Sequence, residues 1–141
     1  PKDTHALRHR VLRPHQTLAD CAYPGDAVPG AFHTGVRLGE RGPLVAVGSI
    51  SPERDASGRA EFGDWRIRGM AVDPAHRGAG HGRRVLDALV AHARDAGGVA
   101  PWCNARERAL SFYERAGFRV YGERFDVPGI GPHFVMAHRS P

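Results

Sequence analysis

The stretch from Trp65 to Gly98 constrains this chain more than any other. Trp65-Arg66-Ile67-Arg68-Gly69-Met70-Ala71-Val72 has the composition of a strand, and Asp73-Pro74 ends it. Arg77-Gly78-Ala79-Gly80-His81-Gly82 follows, then a run with apolar residues at helical spacing. Gly82, Leu86, Leu89, Ala93 and Ala96 form its inner face, Arg84, Asp87, Arg94 and Asp95 its outer face, and Gly97-Gly98 caps it. A strand that enters a glycine-rich turn and leaves as a helix makes an anion site. The first helical N–H groups lack partners and carry partial positive charge, and glycines let the backbone approach a phosphate closely. The spacing argues against two common versions. A P-loop needs Gly-Lys-Ser/Thr where Gly82-Arg83-Arg84 stands, and a dinucleotide loop needs a third glycine where Arg83 stands. A tight turn without a ligand is the plain alternative.

Other elements flank this unit. Ala6, Leu7, Val11 and Leu12 recur at helical spacing from Thr4 to Leu12, and Pro14 stops that helix. His15 to Ala31 carries Pro24-Gly25 and Pro29-Gly30 and reads as a long surface loop. Strands are expected near Thr34–Leu38 and Leu44–Ile50, with Ser51 to Asp64 as an exposed connection. Beyond the glycine unit, Val99 to Cys103 reads as a strand, and Ala109, Phe112, Tyr113 and Ala116 mark a short helix ended by Gly117. Arg119–Gly122 and Pro132–His138 supply two further strands. Alternating strands and helices predict an α/β chain with a mixed sheet and packed helices.

At 141 residues the chain suits one domain spanning 1–141, with a real core. It is 41% apolar and 25% charged, and no apolar run approaches the roughly 20 residues needed to cross a bilayer. Pro1-Lys2-Asp3-Thr4-His5 carries neither a signal core nor an initiator Met, as processing or a trimmed start would leave it. Cys21 and Cys103 make no disulfide framework, so a reducing cytoplasm is the expected location. A net charge of +5 and a pI near 10.0 favour a polyanionic partner. The basic residues are scattered and lack interleaved aromatics, so a phosphate-bearing cofactor accounts for the charge better than nucleic acid does. His5 and His9 lie one helical turn apart without a third ligand; they read as surface residues, and no metal site is expected.

Two motifs in order resemble the GNAT superfamily of N-acetyltransferases. Arg77-Gly78-Ala79-Gly80-His81-Gly82 is similar to that family's Gln/Arg-x-x-Gly-x-Gly/Ala signature, and Met70-Ala71-Val72-Asp73-Pro74 matches the apolar-x-Val-x-Pro run before it. Ala109-Leu110-Ser111-Phe112-Tyr113-Glu114-Arg115-Ala116-Gly117-Phe118 looks like the family's Ala-x-x-Phe-Tyr-x-x-x-Gly-Phe element. The resemblance implies a GNAT-like acyl-CoA N-acyltransferase fold, a central mixed β-sheet flanked by helices. It also implies transfer of acetyl from acetyl-CoA to a primary amine by direct attack on the thioester. Met70, Ala71 and Val72 would hold the acetyl group and pantetheine arm, and Arg77, Gly78, Ala79, Gly80, His81, Gly82 and Arg83 the pyrophosphate. Leu7-Arg8, Val11, Gln16, Gly25-Asp26 and His33, with Gly129-Ile130-Gly131-Pro132-His133 and Met136, are similar to the ElaA-like branch. Two features depart from the family. Its usual first strand has no counterpart before the opening helix. Arg106 stands where many members place a coenzyme A-binding Asn, leaving Asn104 as the substitute ligand.

Acetyl transfer from a thioester depends mainly on positioning and charge stabilisation. Tyr113 is the candidate general acid for the departing thiolate, with a core aromatic as the plain alternative. Many family members carry a base on the strand where Arg66 and Arg68 stand; here Glu61, Asp64, Glu123, His33 and His133 are candidates that spacing does not separate. Cys103 reads as a buried structural thiol rather than an acyl carrier. Strand alternation places Arg66 and Arg68 on one face together with Met70 and Val72. Those arginines, with His33 and His133, are read as substrate-side residues, and paired guanidinium groups suit an amine that also bears a carboxylate or phosphate. Pairing with Glu61, Asp64 or Glu123 is the alternative. The acceptor is expected to be a small-molecule or peptide amine. A non-catalytic acyl-CoA-binding module and a basic nucleic-acid-binding protein are the competing classes, and a homodimer is left open.

Overall fold

Two periodicities, near two and near 3.6, sort the chain into a sheet with helices on both faces. The computed structural model describes residues 2–138; Pro1 and residues 139–141 lie outside the described residues. Helix α1 (Lys2–Leu12) leads through 3-10 turns at Leu18–Cys21 and Pro24–Ala27 to β1 (Phe32–Arg37), β2 (Leu44–Pro52) and β3 (Trp65–Val72). A 3-10 turn at Pro74–His76 precedes α2 (His81–Asp95), followed by β4 (Pro101–Arg106), α3 (Leu110–Arg115), β5 (Arg119–Val127) and β6 (Gly131–Ala137). The strand order is β1-β2-β3-β4-β6-β5, antiparallel throughout except between β3 and β4. This is the expected mixed sheet. No helix among the described residues is long and apolar enough to cross a membrane.

The amphipathic face of α2 buries Gly82, Val85, Leu86, Leu89, Val90 and Ala93 against Ala46, Ile50 and Ile67. Val85 and Val90 widen the stripe read from the sequence, whereas Ala96 lies past the last helical turn and is exposed. Each fully buried Leu or Val contributes about 2 kcal/mol. Helix α1 covers the other face, packing Leu7 on Val47 and Ala71. The connection from Ser51 to Asp64 is more than an exposed link. Asp55 accepts the amides of Ser57 and Ala60, and Asp64 accepts those of Val99 and Ala100, tying the loop to β4. The 15–31 segment likewise buries Cys21 and Gly25.

Strand β3 is not regular. Val47 pairs with Ala71 but Ser49 pairs with Arg68, so β3 carries one extra residue around Gly69-Met70. Gly69 sits at φ 66, a conformation that favours glycine, and an added Cβ would strike the Arg8 guanidinium. The bulge reverses the side-chain alternation. Arg66 and Arg68 pair with Ser51 and Ser49 on the α1 side, whereas Met70 and Val72 pack into the α2 core. The four residues therefore do not share a face, because an unbroken period of two does not survive a bulge.

Candidate active site

Strands β3 and β4 pair only at Trp65 with Pro101 and Arg66 with Trp102, then part toward their C-terminal ends. The parting opens a cleft of about 950 Å³ at the place where parallel strands commonly receive ligands. Met70, Ala71, Val72, Arg77, Gly78, Gly80, His81, Gly82, Arg83, Asn104 and Tyr113 line it, as do Arg66, Arg68 and His133. Of the residues singled out in the sequence, Ala79 sits within the loop but off the cleft wall, and His33 lies away from the cleft. Among the described residues, no Asp or Glu lines it.

One end is built by the glycine loop. The carboxylate of Asp73 accepts the Ala75 amide at 3.0 Å and the Arg10 guanidinium at 2.9 Å, fixing the entry turn. Gly78 and Gly80 have φ of 84 and 83, and a Cβ at either would meet only open space. Gly80 is the N-cap of α2 and brings no side-chain cap; the Arg84 amide is the one that bonds back to it, at 3.1 Å. The amides of the preceding first turn have no helical acceptor. At Gly82 a Cβ would press on Val72 and Phe112, so glycine lets the helix start sit close to β3. The buried Nδ1 of His81 has no hydrogen-bond partner among the described residues. Open cradle, free amides, positive helix end and the adjacent Arg77 together fit a pyrophosphate.

Tyr113 projects from α3 into the cleft wall, 6% exposed, with edge-on contacts to Phe112 and Phe118 at 5.1 and 5.5 Å. The Cys103 thiol is the titratable neighbour of its hydroxyl. Burial, then the neighbouring Cys103, pushes the phenol well above its usual ionisation range, so it stays a neutral O–H donor. Burial pushes the Cys103 thiol up to about 12, which leaves it protonated and a poor nucleophile.

The other end is built from side chains. Arg66 and Arg68 both grip Glu53, at 2.8 and 2.7 Å, and not Glu61, Asp64 or Glu123. Burial opposes the Glu53 charge, but hydrogen bonds from Arg66 and Arg68 outweigh it and hold the carboxyl below its ordinary range. Among the candidate bases, Asp64 is occupied by backbone amides, and Glu61 and Glu123 are exposed outside the cleft. His33 gives one nitrogen to Ser49 at 2.6 Å and donates the other to the Asp26 carbonyl at 3.0 Å. His133 alone reaches the cleft, and it is buried on β6 opposite Arg106. Its Nδ1 lies 2.8 Å from the Gly131 carbonyl, which can only accept. In the neutral ring the proton therefore sits on Nδ1 and the lone pair on Nε2.

Behind this end lies a buried ion pair that sequence reasoning missed as a unit. Arg8, fully buried, grips both oxygens of Asp26 at 2.8 and 2.9 Å, donates to Ser49 and the Cys21 carbonyl, and stacks on Tyr23. In the sequence the pair's trace is Leu7-Arg8 with Gly25-Asp26 and His33, residues whose spacing does not by itself disclose a network. His5 and His9 are correspondingly half-buried, not surface residues; His9 bonds the Gln16 carbonyl at 2.6 Å.

Residues 5–118 match the family model described as Acetyltransferase (GNAT) family. The chain is 38% identical over 135 residues to "Uncharacterized N-acetyltransferase YitI" of Bacillus subtilis (strain 168), covering 96% of this chain and 89% of that protein. Among solved structures, Escherichia coli ElaA superposes with a TM-score of 0.73 at 20% identity, covering 97% of this chain and 88% of ElaA. An aminoglycoside 6'-N-acetyltransferase complexed with coenzyme A gives a TM-score of 0.75 at 15% identity, covering 99% and 91%. At such identities the two structures speak for the fold.

Proposed function

Since the chain belongs to the GNAT family of N-acetyltransferases, we propose that it moves the acetyl group of acetyl-CoA to a primary amine in the cleft between β3 and β4. The observation that carries this reading is the glycine-held start of α2 opening into a cleft that also contains Tyr113. When bound, acetyl-CoA supplies an activated thioester with a thiolate leaving group. Gly78 to Arg83 hold the pyrophosphate through backbone amides, with Arg77 adding charge. The bulged backbone at Met70, Ala71 and Val72 orients the acetyl arm, because the extra residue frees backbone groups from the ladder. Asn104 lies on the facing strand and closes that channel.

His133 takes the proton of the incoming ammonium at Nε2, becoming an imidazolium whose Nδ1–H stays on the Gly131 carbonyl. The free amine then attacks the thioester carbonyl, the new C–N bond replacing the C–S bond. Tyr113 gives its phenolic proton to the departing thiolate and regains one from the new amide nitrogen as that sheds its second proton. Neither proton transfer needs a carboxylate, and the described residues that line the cleft include no Asp or Glu. Residues 1–141 serve as one domain in this reading. The test is a panel of primary amines incubated with acetyl-CoA, with products weighed by mass spectrometry. Acetylated amine and free coenzyme A should form in equal amounts; binding of acetyl-CoA without transfer to any amine would instead favour an acyl-CoA-binding module.

A further inference from the structure

The arginines that line the cleft differ in how they are neutralised. Arg66 and Arg68 are tied to Glu53, and Arg83 at the glycine-loop end pairs with Asp87 at 2.9 Å. Arg13, Arg106 and Arg108 line the cleft too, and none of the three has an ion-pair partner among the described residues; the same holds for Arg77 and Arg115, which belong to the glycine-loop end. Arg106 spends one N–H on the Leu12 carbonyl at 2.7 Å, and Arg13 lies over the Tyr23 ring at 5.5 Å. They come from the end of α1, the end of β4 and the turn after β4, so the fold has gathered them without a counter-charge.

These guanidinium groups feel one another. Burial, then Arg108 and Arg13, lowers the affinity of Arg106 for its proton. A guanidinium does not give up its proton under ordinary conditions, so the repulsion stays in the protein as unrelieved positive potential. Arg13 and Arg106 also stand apart from the glycine loop, on the α1 side of the sheet. Arg106 pairs across the sheet with His133 and reaches α1, whereas the start of α2 packs on the opposite face, against Val72 and Phe112. A pyrophosphate held at the glycine loop therefore leaves Arg13 and Arg106 unsatisfied.

We propose that the acceptor amine carries an anionic group, a carboxylate or a phosphate, that docks on Arg13, Arg106 and Arg108. The proposal rests on the acetyltransferase reading above and assigns its acceptor class. A purely cationic amine would be repelled by such a wall, whereas an amine with an anionic group is drawn in. The same positive surroundings then favour the neutral, nucleophilic form of its amine. Tyr23, Val127 and Ile130 give that end an aromatic and aliphatic lining, which suits a compact acceptor body between the two polar groups.

The test compares matched acceptors by coenzyme A release. One pair is an α-amino acid with its carboxylate free or amidated; the other is an amino sugar with or without a phosphate ester. Wild type should favour the anionic member of at least one pair by about tenfold or more in kcat/KM, one bidentate contact's worth. Which pair responds separates carboxylate from phosphate. In Arg106→Gln/Arg108→Gln the preference should fall toward one, with the KM for acetyl-CoA within about twofold of wild type. Equal rates on both members of both pairs, whether measurable or absent, overturn the proposal. So does a variant whose loss is in acetyl-CoA affinity, because the cluster would then hold cofactor phosphate. Calorimetric titration of wild type with acetyl-CoA separates the two levels. No binding sinks the underlying reading, whereas binding without acceptor discrimination sinks the acceptor class alone.

Discussion

The two ends of the cleft are made of different material. The glycine-loop end uses backbone amides from one continuous stretch, with Gly78 and Gly80 at positive φ and Gly82 packed under Val72. The opposite end uses side chains brought from α1, the loop before β1, β4 and β6, steadied by the buried Arg8–Asp26 pair. A backbone site needs its few glycines and a helix start, and it tolerates change elsewhere. A side-chain site depends on tertiary packing and can be altered one residue at a time without touching the sheet. On the proposed reading, that contrast lets the acceptor end change without disturbing the donor end.

The sharpest way to break the comparison is at Gly80. An Asp there meets φ 83, which costs a non-glycine residue about 1–2 kcal/mol, and it adds negative charge where phosphate is to sit. Acetyl-CoA affinity in Gly80→Asp should fall by about 10²-fold or more in calorimetry, while thermal unfolding shows the fold retained. Unchanged affinity would move the cofactor off the loop.

Next in size is the loss of one hydroxyl. Tyr113→Phe keeps the ring contacts with Phe112 and Phe118 and should lower kcat by about 10²-fold, at the low end for general acid catalysis. The KM for acetyl-CoA should hardly move. Normal turnover with chemistry rate-limiting reduces Tyr113 to a core aromatic.

A third change probes the packing behind the side-chain end. Asp26→Asn leaves the Arg8 charge buried without its partner, at a cost of about 3–5 kcal/mol and a fall of roughly 10 °C in Tm. The wild-type pair also predicts a pH dependence. Burial works against Asp26 ionising, but the Arg8 hydrogen bonds, the Tyr23 amide and the Arg8 charge outweigh it, so its folded pKa lies below the ordinary 3.8. Its contribution is therefore complete above that value and is lost as pH falls through the lower folded one. Denaturant midpoints followed below pH 5 should drop in wild type and drop less in Asp26→Asn.

The smallest expected effect is none at all. With both cysteines buried and Cys103 pushed up to about 12, neither should react with a maleimide in the native protein near neutral pH. Labelling of Cys103 without unfolding would contradict the closed wall around Tyr113.

The same division governs what could be read without coordinates. The loop Arg77–Gly82, the α2 stripe and the order of strands around them follow from local pattern, because each depends on neighbours in the chain. The acceptor side resisted for physical reasons. A bulge at Gly69 moves Met70 and Val72 to the other face, and a lone glycine in a strand does not announce which way the alternation resumes. Glu53 was hidden in what looked like a polar link, and its partners Arg66 and Arg68 lie across a strand pairing that only the fold supplies. His133 separates from the other candidate bases only once the cleft and the Gly131 carbonyl are both in view.

On the proposed reading, backbone amides at the start of α2 hold the coenzyme, and amide hydrogen exchange tests this directly. With saturating acetyl-CoA, the amides from Gly78 to Arg83 should slow markedly, while the exposed turn at Gly39 and Gly58 in the 53–64 link exchange as before. Binding of acetyl-CoA that leaves the 78–83 amides exchanging at their free rate would contradict the account.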